Sequence, residues 1–100
     1  MTVTKTFENR ILTLHPEGWL DTAGAPDLGR EIEEASSFDA LILDFADVEY
    51  ISSAGIRQLA AGYKKCLENK ADFKLINVGG EVMSILKLTG LDKRFDITVK

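Results

Sequence analysis

The sequence predicts a single α/β domain with a mixed, mostly parallel sheet of about five strands, an antiparallel strand at its N-terminal edge and three to four helices. Segments with the apolar pattern of strands alternate along the chain with segments whose apolar residues recur at helical spacing. This order needs crossover connections, which favour parallel pairing. A length of 100 residues fits one domain, which we expect to span residues 1–100.

The first two predicted strands form the antiparallel edge. Val3–Phe7 alternates between apolar and polar side chains, and Ile11–Leu14 is a short, mostly apolar run. Asn9–Arg10 lies between them and suits a tight turn, so a hairpin is expected. The following segment, His15–Asp21, contains a proline and a glycine and is predicted to be a loop.

The first helix follows this loop. Thr22 is its candidate N-cap, and Pro26 fits only because it falls in the first turn. Ser36–Ser37 is expected to end the helix. Its apolar positions at helical spacing are Ala25, Leu28, Ile32 and Ala35.

The third strand and the second helix come next. Ala40–Phe45 is nearly all apolar, which fits a strand buried on both faces of a parallel sheet. Ala46–Ser53 is predicted to be the loop after it, and Asn69 a left-handed residue that ends the second helix. The apolar stripe of that helix is Ile56, Leu59, Ala60, Tyr63 and Leu67.

The last third of the chain repeats the alternation. Phe73–Val78 is predicted to be a strand that Gly79–Gly80 interrupts, and Phe95–Val99 is a last short strand. Between them lies a short third helix that Gly90 stops. The residues at helical spacing that predict it are Val82, Ile85, Leu86 and Thr89.

Composition and charge exclude several classes of function. A net charge of -4 and a pI of about 4.9 give no basic surface for nucleic acid or anionic lipid. The apolar runs are far shorter than the roughly 20 residues of a membrane span, and from the first residues we expect no signal peptide. We therefore expect a cytoplasmic protein without membrane insertion. The single cysteine, Cys66, permits no intramolecular disulfide and is expected to be a small buried hydrophobe.

Catalytic and cofactor motifs are missing from the sequence. It has no P-loop, no GxGxxG and no GxSxG elbow around a serine. His15 is the only histidine and lies on a different predicted element from the only cysteine, so a metal site is not expected. We predict a binding or switching module that needs no cofactor and is not an enzyme.

Two predicted loops are candidates for the binding site. Open parallel sheets place their functional loops at the carboxyl ends of the strands, which here gives Gly18–Thr22 and Ala46–Ser53. The second loop ends with two serines, Ser52 and Ser53. One interpretation is that a hydroxyl caps the second helix. The other is that an exposed hydroxyl is phosphorylated, because the N–H groups and partial positive charge of a helix N-terminus accommodate a phosphate.

One segment of the chain resembles a known family. Leu41–Leu59, with the sequence LILDFADVEYISSAGIRQL, is similar to the signature of the STAS domain, found in bacterial anti-sigma-factor antagonists. Matched without gaps, Gly55 takes the position of the family's glycine and Ser53 that of its phosphorylated serine. Ser52 takes the position of the usual aspartate, and Ala54 that of a second hydroxyl residue.

Other segments extend the resemblance over the whole chain. Asp44 matches the family's aspartate at the strand end. The sequence GWLD at Gly18–Asp21 is similar to its Gly-x-Leu-Asp, and LTGLDKRF at Leu88–Phe95 to its closing segment. The order of strands and helices also fits.

The resemblance implies a partner switch. The unphosphorylated antagonist binds an anti-sigma factor that is also a serine kinase, which frees a sigma factor for transcription. Phosphorylation of Ser53 by that kinase ends the binding, and a serine phosphatase resets the cycle. The candidate partner-binding residues are Asp21, Thr22, Ser52, Ser53, Gly55, Ile56 and Arg57.

Alternatives remain open at this point. A STAS subunit of a lipid or anion transport complex, or a small nucleotide-binding STAS module, would share the same pattern. Asp21 is either a turn residue or a contact to the partner, and Arg57 either a solvated cation or a partner for an acidic group. Asp44 is expected to shape the turn after its strand, and Trp19 to fold back on the core.

Overall fold

The computed structural model describes all 100 residues and confirms the predicted fold class. The six strands are β1 (Thr2–Glu8), β2 (Ile11–Leu20), β3 (Ala40–Asp44), β4 (Asp47–Ile51), β5 (Asp72–Val78) and β6 (Asp96–Val99). The helices are α1 (Ala25–Glu34), α2 (Ser53–Glu68) and α3 (Gly80–Leu88), followed by a short 3-10 helix at Leu91–Lys93. No helix combines the length and the apolar character that a membrane span requires.

The sheet is organised around β2. Its order is β1-β2-β3-β5-β6, and β4 pairs with β2 beyond the end of β3. Only the β1–β2 pair is antiparallel. Asn9 and Arg10 join these two strands with φ of 51° and 63°, the positive values that a two-residue hairpin turn requires. The predicted hairpin is therefore confirmed.

The loop predicted over His15–Asp21 is wrong, because β2 continues as far as Leu20. Pro16 suggested a break, yet it falls where β2 changes its neighbour. β2 pairs with β3 as far as Leu14 and with β4 from Glu17 onward. A proline is tolerated at such an interruption of the ladder, because no carbonyl oxygen of a neighbouring strand needs a hydrogen bond from its position.

The loop predicted over Ala46–Ser53 is also wrong for most of its length. Five of its residues, Asp47–Ile51, form β4 and pair in parallel with β2. Val48 and Ile51 are buried, whereas the other three are exposed. The buried residues do not alternate strictly with exposed ones, because the register between β2 and β4 shifts by one residue. The pattern of a single sequence does not reveal such a shift.

β3 and β4 run one after the other along the same side of β2. Leu14 of β2 pairs with Leu43, and Leu20 pairs with Ile51. Thus six residue steps along β2 lie opposite eight steps along the β3–β4 segment. The two additional residues are taken up by the turn at 45–46 and by the register shift between β2 and β4.

The core lies on one face of the sheet, under α1 and α2. Along β3, Leu41 and Leu43 are buried, whereas Ile42 is only half-buried. The expectation of burial on both faces of this strand is therefore wrong, because both long helices occupy the same side. Twenty buried residues form one cluster, to which α3 adds Val82 and Leu86.

The buried face of α2 differs from the predicted stripe. Ala60 is exposed and Leu67 is 62% exposed, so both were placed wrongly. Small residues make up much of the face that packs against the sheet, and a search for large apolar side chains overlooks them. The buried positions are Gly55, Leu59, Gly62 and Cys66.

The end of α2 lies one residue later than predicted. Asn69 has a φ of -100°, so it is not the left-handed residue. Lys70 has a φ of 55°, and the N–H of Ala71 then donates to the carbonyl of Cys66 at 2.9 Å. This bond closes the helix in the usual left-handed manner, although neither glycine nor asparagine is present at the left-handed position.

Native Cys66 should react with a thiol reagent far more slowly than the unfolded chain. The residue is 1% exposed, and its burial raises the pKa of the thiol to about 11. At neutral pH this lowers the thiolate fraction on the order of 100-fold relative to a free cysteine. Stopped-flow labelling with and without denaturant measures the ratio, and rapid labelling of the native protein would contradict the position of α2.

Candidate functional site

The two segments predicted to carry the site meet where β2 and β4 end. Leu20 pairs with Ile51, so the residues that follow them, Asp21 and Ser52, lie side by side. The N–H of Ser52 donates to the carbonyl oxygen of Leu20 at 3.0 Å. A single backbone hydrogen bond thus joins the start of α2 to the turn that precedes α1.

Asp21 organises that turn. Its Oδ1 accepts the N–H groups of Ala23 at 3.1 Å and Gly24 at 2.9 Å, and its carbonyl accepts the N–H of Ala25 at 2.7 Å. The predicted N-cap, Thr22, is wrong: Gly24 occupies that position. The carboxylate already accepts the free N–H groups, which leaves Thr22 exposed and without a capping role.

The two serines have different environments. Ser52 occupies the N-cap position of α2 with an extended backbone, and its carbonyl accepts the N–H of Ile56 at 2.9 Å. Its hydroxyl does not cap the helix but points to the carbonyl of Leu20 at 3.4 Å. Ser53 is the first helical residue and is exposed. Neither hydroxyl makes the capping hydrogen bond that the first interpretation requires.

The start of α2 is electropositive. The N–H groups of residues 53–55 precede the first helical hydrogen bond, which Ile56 makes, and have no backbone acceptor. No acidic residue lies in the first turn. Arg57, one turn beyond Ser53, is exposed and forms no ion pair. The helix dipole and this side chain therefore favour an anion at Ser53.

Gly55 allows α2 to begin directly against β2. It is buried, and a Cβ atom at this position would lie 2.5 Å from the carbonyl oxygen of Leu20 and 2.7 Å from Cγ1 of Ile51. Any side chain would push the first turn away from the sheet. Gly55 therefore fixes the position of Ser53 from beneath and is not exposed to a partner.

Trp19 and Tyr50 form an aromatic pair beside the serines. Their ring centroids lie 5.2 Å apart, and the side chains are 57% and 37% exposed. The expectation that Trp19 folds back on the core is wrong. Side chains alternate along a strand, and Leu20 takes the inward position with 0% exposure. Trp19 and its register partner Tyr50 project from the opposite face.

Charged side chains surround His15, the only histidine of the chain, on the same face of the sheet as Trp19. The sequence analysis did not predict this group. Nε2 of His15 lies 2.7 Å from Oδ2 of Asp47 and 3.8 Å from Oε1 of Glu17. Nδ1 lies 3.4 Å from Oδ2 of Asp44. The hydrogen bond with Asp47 is the main cause that raises the pKa of His15 above its usual value. Partial burial lowers this pKa, whereas Asp44 raises it further. The i,i+2 spacing of His15 and Glu17 was the only signal in the sequence.

Asp44 has the structural role expected of it. Its Oδ1 accepts the N–H of Ala46 at 3.1 Å and the amide of Asn77 at 3.0 Å. Burial alone would raise the pKa of Asp44, but the hydrogen bonds from Asn77 and Ala46 and the nearby imidazole of His15 outweigh it, and the pKa is lowered. The carboxylate thus shapes the turn between β3 and β4 and also faces the histidine.

Comparisons with known proteins agree on one family. The family model described as STAS domain matches residues 2–100. The chain is 32% identical over 97 residues to the anti-sigma-F factor antagonist RsfB of Mycobacterium tuberculosis, covering 95% of this chain and 79% of that protein. A solved anti-sigma factor antagonist from Mycobacterium paratuberculosis is 30% identical with a TM-score of 0.88, covering 99% of this chain and 86% of that one.

A more distant protein, SpoIIAA, shares the fold in two states. Its unphosphorylated form, an anti-sigma factor antagonist, is 12% identical with a TM-score of 0.75 and covers 99% of this chain and 88% of that one. Its phosphorylated form, from Bacillus, is 14% identical with a TM-score of 0.76, covering 99% and 93%. In that protein both states have the fold seen here.

Proposed function

The chain belongs to the STAS domain family, and from this premise we propose that it is an anti-sigma factor antagonist. It binds an anti-sigma factor and thereby frees a sigma factor for transcription. The observation that carries the proposal is the exposed hydroxyl of Ser53 at an electropositive helix start. The relatives from Mycobacterium tuberculosis and Mycobacterium paratuberculosis described above are both anti-sigma factor antagonists, which does not favour a transport subunit or a nucleotide-binding module.

Phosphorylation of Ser53 controls the binding. The anti-sigma factor acts as a serine kinase that transfers the γ-phosphoryl group of ATP to Oγ of Ser53, with loss of the hydroxyl proton and release of ADP. The added charge, about -2, ends the binding. A serine phosphatase hydrolyses the phosphate ester and restores the binding form. The chain is a ligand and a substrate in this cycle, not the enzyme.

The geometry supports a modification that leaves the domain folded. Ser53 is exposed, so the phosphate stays in water. The three free N–H groups of residues 53–55 and the guanidinium of Arg57 supply compensating positive charge. No acidic side chain of the first turn opposes the phosphate. SpoIIAA, which has the same fold with and without phosphate, gives a precedent.

The binding surface surrounds this serine. We call it the switch surface and define it by the predicted residues Asp21, Thr22, Ser52, Ser53, Ile56 and Arg57, with Gly55 buried beneath them. Trp19 lies two residues before Asp21, and Tyr50 two residues before Ser52. Their exposed rings form a pair that extends the switch surface. Aromatic side chains are enriched at protein interfaces, so this pair is a fitting anchor for the anti-sigma factor.

Ser53→Ala should abolish phosphorylation and leave binding to the anti-sigma factor close to that of the wild type. The substitution removes the acceptor hydroxyl, adds no charge and breaks no hydrogen bond of the cap. The measurement is the intact mass after incubation with the cognate kinase and ATP, with binding followed in parallel. Ser52→Ala is the matched control and should still be phosphorylated. Phosphate on Ser52 in the Ser53→Ala protein or in the wild type would show that the wrong serine has been assigned.

A further inference from the structure

Three side chains outside the switch surface converge as metal ligands do. His15, Glu17 and Asp47 each offer one ligand atom, and these atoms lie within 4.8 Å of one another. The backbone imposes this arrangement. His15 and Glu17 are two residues apart on β2 and so point to the same face, and Asp47 is the register partner of Glu17 on β4. All three positions belong to paired strands, not to a loop.

A fourth residue orients the imidazole. Metal-bound histidines usually donate their other ring N–H to a carboxylate, which fixes the tautomer and the ring direction. Oδ2 of Asp44 lies 3.4 Å from Nδ1 of His15. Its Oδ1 is held by the Asn77 amide and the Ala46 N–H, so the carboxylate cannot turn away freely. Nε2 is thereby directed toward Asp47 and Glu17.

The charge of the group is suited to a cation. Glu17, Asp44 and Asp47 make ion pairs only with His15, so three carboxylates share one imidazole. The nearby ammonium group of Lys100 donates instead to the carbonyl of Ala46 at 2.7 Å. The side chains of Glu17 and Asp47 are 50% and 60% exposed, so an ion can reach them and they are free to turn toward it.

We propose that His15, Glu17 and Asp47 form a binding site for a divalent transition-metal ion, with Asp44 as the residue that positions the histidine. One imidazole nitrogen and two carboxylate oxygens form a ligand set that suits Zn²⁺. The remaining coordination positions face solvent. An ion bound there joins β2 to the first residue of β4, the strand that leads into Ser52, and so holds the base of the switch surface.

The test is a titration of the untagged protein with ZnCl2 in mildly alkaline buffer, because an imidazole must be deprotonated to bind a metal ion. Calorimetry gives the stoichiometry and the affinity. NMR of the imidazole nitrogens gives the position, because His15 is the only histidine of the chain. We expect one equivalent of Zn²⁺ and a shift of the Nε2 resonance. Each ligand substitution, His15→Gln, Glu17→Gln or Asp47→Asn, should weaken binding by about tenfold or more.

Two further variants separate orientation from simple charge. Asp44→Asn should weaken binding by roughly 10- to 100-fold, as expected for a partner that orients a ligand. Asp96→Asn removes an exposed carboxylate of β6, and its affinity should stay that of the wild type. A melt of each variant establishes that it is folded. The proposal is overturned by the absence of saturable binding, by an unshifted His15 ring, or by an affinity that the ligand substitutions leave unchanged.

Discussion

Ser53→Asp should weaken binding to the anti-sigma factor by roughly 30- to 1,000-fold. The carboxylate stands in the middle of the switch surface, next to the turn that Asp21 organises. Burying an unpaired charge at an interface, or facing it with like charge, costs on the order of 2–4 kcal/mol. Phosphoserine carries more charge than aspartate and should weaken binding further.

The same substitution should leave the domain folded. A carboxylate at the first position of α2 is favoured by the helix dipole by about 0.3–1 kcal/mol. Ser53 is exposed and its hydroxyl makes no capping bond, so nothing is lost from the fold. The melting temperature should therefore hold or rise slightly.

Titration calorimetry against the anti-sigma factor with ADP, together with a melt, measures both effects. Ser36→Asp is the matched control, since it adds the same charge at an exposed serine after α1 and should leave affinity unchanged. If the affinity of Ser53→Asp and its melting temperature both equal those of the wild type, Ser53 lies outside the interface. If its melting temperature collapses, the serine supports the fold and the proposed switch fails.

Gly55→Ala should lower the stability of the domain by about 1–3 kcal/mol, as overpacking of a tight contact does. In most helices this substitution stabilises, by up to about 1 kcal/mol. Here the new Cβ would lie 2.5 Å from the carbonyl oxygen of Leu20, which also accepts the N–H of Ser52. The helix start cannot move away without stretching that hydrogen bond.

Thermal unfolding measures the loss, which corresponds to a fall of roughly 5–20 °C in melting temperature for a domain of this size. Gly80→Ala is the matched control, because that glycine begins α3 and a Cβ there meets no atom within 4 Å. Its melting temperature should hold or rise. A Gly55→Ala protein as stable as the wild type would show that α2 does not begin in this close contact.

The sequence predicted the fold class and most elements because their signals are local. The hairpin depends on the alternation of two neighbouring strands, and α1 on a stripe that the structure retains at Ala25, Leu28 and Ile32. β4 and the second half of β2 were missed because they stabilise each other. Neither segment has a clean alternation by itself, and the pairing that makes each of them a strand joins residues far apart in the sequence.

The candidate site was predictable to a similar extent. The match to the family signature selected Ser53 and Gly55, but the reason for the glycine, a carbonyl 35 positions earlier in the chain, is visible only in the structure. The group around His15 was missed because Asp47 reaches it through β4. Thr22 was misassigned because capping rules are accurate only to within a residue or two.

The mismatch of six steps along β2 against eight along the β3–β4 segment decides where this protein can change in length. Glu49 is the additional residue at the register shift, so a chain without it would still pair Trp19 with Tyr50 and Leu20 with Ile51. Deleting Ile42 instead, where the pairing is regular, would bring Leu43 opposite Thr13 and turn its side chain to the opposite face of the sheet. Along β3, therefore, residues can be exchanged but hardly added or removed. The exposed connection at Ser36–Ser37 has no such counterpart across the sheet and is where an insertion should be tolerated.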